Sequence, residues 1–484
     1  MIKRYNNLST PIKATLWFTV SNMLQKGVLF LAVPIYTRIL TTEQYGNYSI
    51  FLSWLEIFEI IATFRIGWGG YVVGLNKYED SRSSYTSSMQ MLSIVITTIA
   101  FVFYFIFHDL INSWTSLSTK FIIMIFGLLY VIPAIQFWTV RERVEYRYKN
   151  VLLVTLVSSI LTVVFGIVFA LYFFEKDFAI IFARLVVQGI IALVLIWYNC
   201  HSNFTFYNKE YWGRAFRFNV PLLPYYLSMV VLHGADKIII GNLVGNAQAG
   251  IYGVAYTLST CMQLFNSSIT QTLQPWLYKQ MKEKKIEKVP QIISITTLII
   301  AGLNLFLIAL APEIIWFVAP AKYQEAIWVI PPLAASVVVM YFYQHFVNIE
   351  FYFEESKLTA VASIGAAILN VILNYIFIPV FGYMAAGYTT LVSYLIFAAF
   401  HYWFMKIICR KNDYVEFLVN IKELLIILIF FFACSAILVA GYRWSIIRYL
   451  AITIITIITF IKRKFIISVI SMLMESKQIK VKNI

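Results

Sequence analysis

ATLWFTVSNMLQKGVLFLAVPIY, residues 14–36, holds one charged side chain, Lys26, and is otherwise apolar or weakly polar. An α-helix rises about 1.5 Å per residue, so about 20 such residues cross a hydrocarbon core about 30 Å thick. The stretch therefore reads as a membrane-spanning helix. Thirteen more follow it, at 46–66, 85–107, 119–139, 151–174, 178–199, 217–240, 250–277, 291–311, 324–347, 359–378, 383–404, 421–441 and 444–461. None of these runs alternates with period two, so the pattern predicts helices and excludes a barrel of strands.

Composition agrees with that reading. Hydrophobic residues make up 61% of the 484 positions and charged ones 13%, against about a quarter charged in an ordinary soluble domain. A soluble globule is excluded. The net charge of +15 is spread over many connections instead of one patch, so no nucleic-acid partner is expected. Cys200, Cys261, Cys409 and Cys434 stand singly, without the paired spacing of metal sites or disulfide frameworks. The opening MIKRYNNLSTPIK leads into the first span without a small-residue cleavage site, so no removable signal peptide is expected.

Apart from Lys26, Arg65, Arg184 and Lys237, taken as lying within spans, the basic residues sort by side, those at a span's edge counted with the connection they adjoin. The N-terminus, the connections after even-numbered spans and the tail hold 28 of them; the connections after odd-numbered spans hold six, Arg38, Lys120, Lys176, Lys322, Arg443 and Arg448. Basic residues concentrate on the cytoplasmic side of membrane proteins, which predicts cytoplasmic N- and C-termini. The run KQMKEKKIEK at 279–288 is the most charged of these connections and reads as an inward anchor. On the opposite side every loop is short, the longest covering 108–118. No extracytoplasmic domain is left to house a polymerase or glycosyltransferase.

An internal repeat underlies the spans. The first six and the next six begin about 204 residues apart, and at that offset QYGNY (44–48) recurs as QAGIY (248–252), sharing Gln, Gly and Tyr. Both copies precede the second helix of their half. Six helices is an even number, so both halves start from the same side and the repeat is parallel. The expected architecture is all-α with 14 transmembrane helices: an N-lobe at 1–204, a C-lobe at 205–408, and two further helices with a basic tail at 409–484. Transporters built from repeats hold substrate between them and rock the halves to alternate access.

Three stretches match a known family. FNVPLLPYYLSMVVLHGADKIIIGNLVGNAQAGIYGVAY (218–256) resembles the seventh-to-eighth helix pattern of the bacterial polysaccharide transporters, with Pro224, Asp236, Lys237, Gly245, Gly250, Tyr252, Ala255 and Tyr256 in place. LNVILNYIFIPVFGYMAAGYTTLVSYL (369–395) looks like their eleventh-to-twelfth pattern through Asn370, Asn374, Pro379, Gly382, Ala385, Ala386, Thr389, Thr390 and Ser393. KGVLFLAVPIYTRILTTEQYGNYS (26–49) is similar to their first. The resemblance implies the multidrug/oligosaccharidyl-lipid/polysaccharide exporter superfamily, in the branch that flips undecaprenyl-diphosphate-linked oligosaccharide units for O-antigen, capsule or other surface polysaccharide across the bacterial cytoplasmic membrane. Partners on that reading are the lipid-linked oligosaccharide, membrane lipid, and the polymerase and chain-length machinery. Asn370 and Asn374 also suit hydrogen bonds between helices.

Ionisable groups inside spans mark cavities, pairs or snorkelling ends. Lys26 and Glu56 both fall near mid-membrane, and Glu59 shares a helix face with Glu56, so these three are the expected polar cluster of the first half. Asp236 and Lys237 lie close to the outer end of the seventh span; His233 precedes Lys237 by one turn. Arg65 and Arg184 lie near span ends, where snorkelling also accounts for them. In the eighth span Gln263, Ser267, Thr270 and Gln274 recur at intervals of four, three and four and form one hydrophilic stripe, flanked by Asn266 and Gln271. A sugar-lined cavity and helix-to-helix hydrogen bonding both account for that stripe.

For a flippase of the resembling kind, a diphosphate calls for cations and sugars call for hydrogen-bonding side chains. Lys26, Arg65 and Lys237 suit the first task; Gln263, Ser267, Thr270 and Gln274 suit the second. Glu56, Glu59 and Asp236 are candidates for coupling to a proton or sodium gradient. Related flippases place arginines in spans one, two and eight, whereas here span one carries a lysine and span eight no cation. No phosphate-binding loop is present and no cofactor is expected. A drug/cation antiporter of the same superfamily is the alternative, a membrane-embedded polymerase a more distant one.

Overall fold

A computed structural model describes residues 10–412, 414, 418–446, 448–450 and 452–453, and among them every regular element is a helix. In chain order these are α1 (Thr10–Ile39), α2 (Thr42–Thr63), α3 (Gly69–Lys77), α4 (Arg82–Ile106), α5 (His108–Thr115), α6 (Thr119–Val144), α7 (Tyr148–Tyr172), α8 (Lys176–His201) and α9 (Lys209–Asn219). There follow α10 (Leu223–Leu243), α11 (Asn246–Lys282), α12 (Val289–Ala309), α13 (Ala311–Val318), α14 (Ile330–Tyr352), α15 (Ser356–Phe381), α16 (Ala385–Lys411) and α17 (Ile421–Ala440). The chain is an all-α polytopic membrane protein. The first thirteen expected spans each fall on one long helix; the last, 444–461, lies largely outside the described residues.

Two expected starts move inward by six residues. The seventh begins at Leu223 and not at Arg217, because Pro224 takes one of the first helical positions, where its missing N–H costs nothing. The tenth begins at Ile330, with Pro331 and Pro332 in its first turn, and residues Ala321–Trp328 form a 3-10 helix before it. The parallel repeat extends to a detail absent from hydropathy. In each half the third span is followed by an eight-residue helix, α5 in the first and α13 in the second.

Among the described residues, eleven helices are long and apolar enough to cross a membrane. The second and eighth spans, α2 and α11, are not among them. α2 carries Glu56 and Glu59 and α11 the amide stripe, side chains that lower the hydropathy of both helices. The halves also differ at this position. α2 stops where Phe64 and Arg65 adopt left-handed backbone, φ 51° and 47°, and a separate short helix, α3, follows. α11 continues for 37 residues.

The chain divides into two compact units, Met1–Gly250 and Ile251–Ile484. In the first, α7 packs on α8 and α1, α6 on α8 and α4, and α10 lies along α2. In the second, α14 is the central helix: α16 packs along it and along α15, while α12 packs on α14 and α17. Helices in lipid gain little from apolar burial against one another, so packing and interhelical hydrogen bonds hold them. Asn370 of α15 donates to the Thr390 hydroxyl of α16 at 3.2 Å, and Asn374 donates to Asn370 at 3.2 Å and accepts from the Thr389 hydroxyl. Such bonds contribute about 0.6 kcal/mol each on average.

Candidate functional site

In the first unit the polar side chains collect where α10 lies along α2. Gly234 on α10 offers no side chain, so Ser53 Oγ of α2 comes within 3.7 Å of where its Cβ would be. One turn along α2, the Glu56 side chain lies within electrostatic reach of His233 and Lys237 on α10. Asp236, 1% exposed, acts on the same two residues. The ring proton of His233 is taken up by the Met229 carbonyl, 2.7 Å from Nδ1. Two carboxylates, a lysine and an imidazole thus share one helix pair within apolar surroundings.

The expected trio of Lys26, Glu56 and Glu59 is divided among different neighbours. Lys26 on α1 is exposed and forms no ion pair with a described residue. Glu56 turns toward α10, and Glu59 accepts a 2.8 Å hydrogen bond from Gln136 of α6. All three are ionisable groups on spans, but helix rotation gives each a different face.

Arg65 sits just beyond the end of α2 on left-handed backbone. Its guanidinium lies 4.6 Å from the Trp68 ring centroid and 5.4 Å from that of Tyr226 on α10. Flat aromatic faces attract a cation without neutralising it, so the group is held in place with no ion pair to a described residue. Its Nε is buried without a hydrogen-bond partner among the described residues. Arg184, at the opposite end of the unit, faces Tyr36 and Tyr48.

In the second unit the stripe on α11 mostly bonds within its own helix. Ser267 donates to the Gln263 carbonyl at 2.8 Å, Gln274 donates to the Tyr278 hydroxyl at 2.9 Å, and Gln263 points its amide at Met340 Sδ, 3.7 Å away. Asn266, beside the stripe, is the residue that ties α11 to α14, donating to the Val337 carbonyl at 2.9 Å. The four stripe residues are partly or fully exposed.

One buried cluster escapes hydropathy reading altogether. Glu350 of α14 and His401 of α16 are both 0% exposed, with Nδ1 2.8 and 3.0 Å from the two carboxylate oxygens. Thr359 of α15 donates to the same carboxylate at 2.8 Å. Tyr343 stacks on the imidazole at 5.8 Å, and His401 Nε2 is buried with no hydrogen-bond partner among the described residues. Glu350 lies three residues beyond the expected end of the tenth span, which is why it reads as a connection in the sequence. Among the described residues no group of three or more His, Cys, Asp or Glu side chains is placed to hold a metal.

Comparison with known proteins agrees with this architecture. The model of the family described as "Polysaccharide biosynthesis protein" matches residues 12–281, more than half of the chain. A Haemophilus influenzae relative, "Lsg locus putative protein 1", is 23% identical over 387 residues, covering 75% of this chain and 84% of its own. An uncharacterized membrane protein of Methanocaldococcus jannaschii is 23% identical over 460 residues, 87% and 88% of the two chains. Among solved structures, the lipid II flippase MurJ in an inward closed conformation superposes with a TM-score of 0.67 at 14% identity, over 93% of this chain and 100% of that one. An inward-facing multidrug resistance MATE transporter of the MOP superfamily gives 0.61 at 14% identity, over 80% and 96%. At such identity these structures establish a shared fold.

Proposed function

Because the chain belongs to the polysaccharide biosynthesis protein family, we propose that it is a flippase that moves undecaprenyl-diphosphate-linked oligosaccharide repeat units from the inner to the outer leaflet of a bacterial cytoplasmic membrane. Transport would proceed by alternating access between the lobes at 1–204 and 205–408, with both termini in the cytoplasm, and would supply O-antigen, capsule or another surface polymer. No covalent chemistry is needed. The polymerase and chain-length machinery would take up the product.

The observation that carries this reading is the gathering of charged groups at the α2–α10 contact and of amide and hydroxyl groups along α11 in a family member. Arg65, held between Trp68 and Tyr226 with no ion pair to a described residue, suits a diphosphate. Lys26, exposed and without an ion pair to a described residue, and Lys237 would complete the cationic set. Gln263, Ser267, Thr270 and Gln274 would meet sugar hydroxyls, since an amide both donates and accepts. Glu56, Glu59 and Asp236 would couple transport to a proton or sodium gradient: Glu56 and Asp236 both act on Lys237, so a bound cation or anionic cargo would alter the same balance of charge.

A cation-coupled drug antiporter is the second reading, favoured by the MATE-like fold and by the carboxylates at the α2–α10 contact. The deciding experiment measures undecaprenyl-diphosphate-linked oligosaccharide on the cytoplasmic side of cells lacking this chain. Wild type, Lys26→Ala and Arg65→Ala are restored in parallel. Accumulation relieved by wild type alone supports the flippase and its cationic site, and relief by every variant keeps the flippase and removes that site. Cells that accumulate nothing but become sensitive to organic cations would establish the antiporter.

A further inference from the structure

A cleft of about 500 Å³ opens within the first unit, away from the α2–α10 charge cluster, where the start of α2, the connection into α6 and the end of α10 converge. Its volume lies within the range of about 300–1,000 Å³ found for small-molecule sites. Three amides, Asn47, Asn242 and Asn246, and two hydroxyls, Ser116 and Ser118, line it. Ile50, Leu117 and Phe121, each 9% exposed or less, supply an apolar wall.

The amides are preset. Asp177, 6% exposed, accepts from Asn47 Nδ2 at 2.8 Å, and Asn47 Oδ1 in turn accepts from Asn246 Nδ2 at 2.8 Å. This chain of bonds orients Asn246 and leaves its carbonyl oxygen available. Asn242, Ser116 and Ser118 use none of their side-chain capacity on described residues. The one cation in the lining, Lys120, is paired with Glu175 and stands 5.5 Å from the Phe121 ring centroid. Charge is therefore compensated while amides and hydroxyls remain open, which suits a neutral polyhydroxylated ligand better than a phosphate. Hydroxyls of a sugar ring both donate and accept, as amides do, and the ring's C–H face suits Phe121 and Ile50.

We propose that this cleft binds one or two sugar residues of the cargo on the extracytoplasmic side, the side that the charge asymmetry of the connections assigns to it. The inference rests on the flippase reading. It adds a glycan subsite at the end of α10, five residues beyond Lys237, which would retain the head group after the lipid has crossed.

The test uses the full-length chain in lipid nanodiscs. The probe is the soluble oligosaccharide released by mild acid from the lipid-linked intermediates of cells lacking the chain, and binding is followed by calorimetry. Asn242→Trp and Ser118→Trp fill the cleft from two walls at exposed positions, with Asn242→Ala as a milder change and the thermal midpoint as the check on folding. Saturable binding by wild type, weakened at least about tenfold in both tryptophan variants, is expected from the loss of one or two hydrogen bonds and the space itself. Binding unchanged in folded variants overturns the subsite. So does absence of binding by wild type when intermediates do accumulate, an outcome that leaves the flippase standing. If no intermediates accumulate, the flippase reading fails and the subsite falls with it.

Discussion

Gly46 and Gly250, the central glycines of the repeated pentapeptide, meet backbone to backbone. A Cβ on Gly250 would lie 2.1 Å from the Thr42 carbonyl oxygen and 2.9 Å from Gly46 N; one on Gly46 would lie 1.7 Å from the Asn246 carbonyl oxygen and 3.1 Å from Gly250 N. The sequence repeat is thus also a structural contact, and the recurrence of glycine at both positions has a steric cause. Neither clash can be relieved by a side chain turning aside, because the opposing atoms belong to helix backbone.

Alanine at either glycine forces the first turns of α2 and α11 apart. Overpacking of this kind costs about 1–3 kcal/mol or more, so Gly46→Ala and Gly250→Ala are expected to lower the thermal midpoint in detergent. Gly189→Ala, at a helical glycine with open space around its Cβ position, is the control and should leave the midpoint unchanged or slightly raised. Equal midpoints for all three proteins would contradict the contact.

The Glu350–His401 pair predicts a large single-residue effect with a smaller double one. Removing one partner of a buried pair strands the other and costs about 3–5 kcal/mol, whereas apolar replacement of both is often near neutral. His401→Leu and Glu350→Leu should each destabilise strongly, and the double variant should recover much of the loss. Additive losses in chemical or thermal unfolding would show that the two side chains act independently.

Acid should loosen the attachment of Arg448. Burial pushes the Glu313 carboxyl up, but hydrogen bonds from Arg448, its own backbone and Tyr449 outweigh that and hold it below the usual carboxylate range. A depressed folded-state value means stability that is fully present above the ordinary carboxylate range and lost as pH falls through the lowered one. Wild type should therefore exceed Arg448→Gln in thermal midpoint at neutral pH, with the gap closing as the carboxylate protonates. A gap independent of pH between 3 and 7 would rule the pair out as its source.

Lys237 lies within electrostatic reach of both Glu56 and Asp236. Lys237→Ala leaves Glu56 and Asp236 without their shared cation and is expected to reduce export of lipid-linked oligosaccharide at least about tenfold, the scale of one lost charge-assisted contact. Lys237→Arg should restore part of it. Full export by Lys237→Ala would remove this residue from the site.

Arg65 is expected to depend on its aromatic clamp. Replacing Trp68 by Leu removes a cation–π contact of about 0.5–2 kcal/mol while keeping the positive charge. If the clamp orients Arg65 toward cargo, Trp68→Leu lowers export without changing protein level in the membrane, and Arg65→Lys behaves similarly because an ammonium lacks the flat guanidinium face. Normal export by both would assign the clamp to folding alone.

The first thirteen spans were legible in the sequence by itself, as were the parallel repeat and the family resemblance. Hydropathy is a local property, and a helix in lipid satisfies its backbone hydrogen bonds within its own segment, so each span announces itself without reference to its neighbours. The polar stripe of α11 was legible for the same reason, since spacing along one helix determines its faces. What only the tertiary structure decided was who meets whom: Glu56 opposite Lys237 and not Lys26, Glu59 against Gln136, Glu350 bonded to His401, and Asn47, Asn242 and Asn246 gathered around one cleft. Those pairings depend on how each helix is rotated and which helix lies beside it. That choice is made by many weak packing contacts and hydrogen bonds between segments far apart in the chain, and no single stretch of sequence carries it.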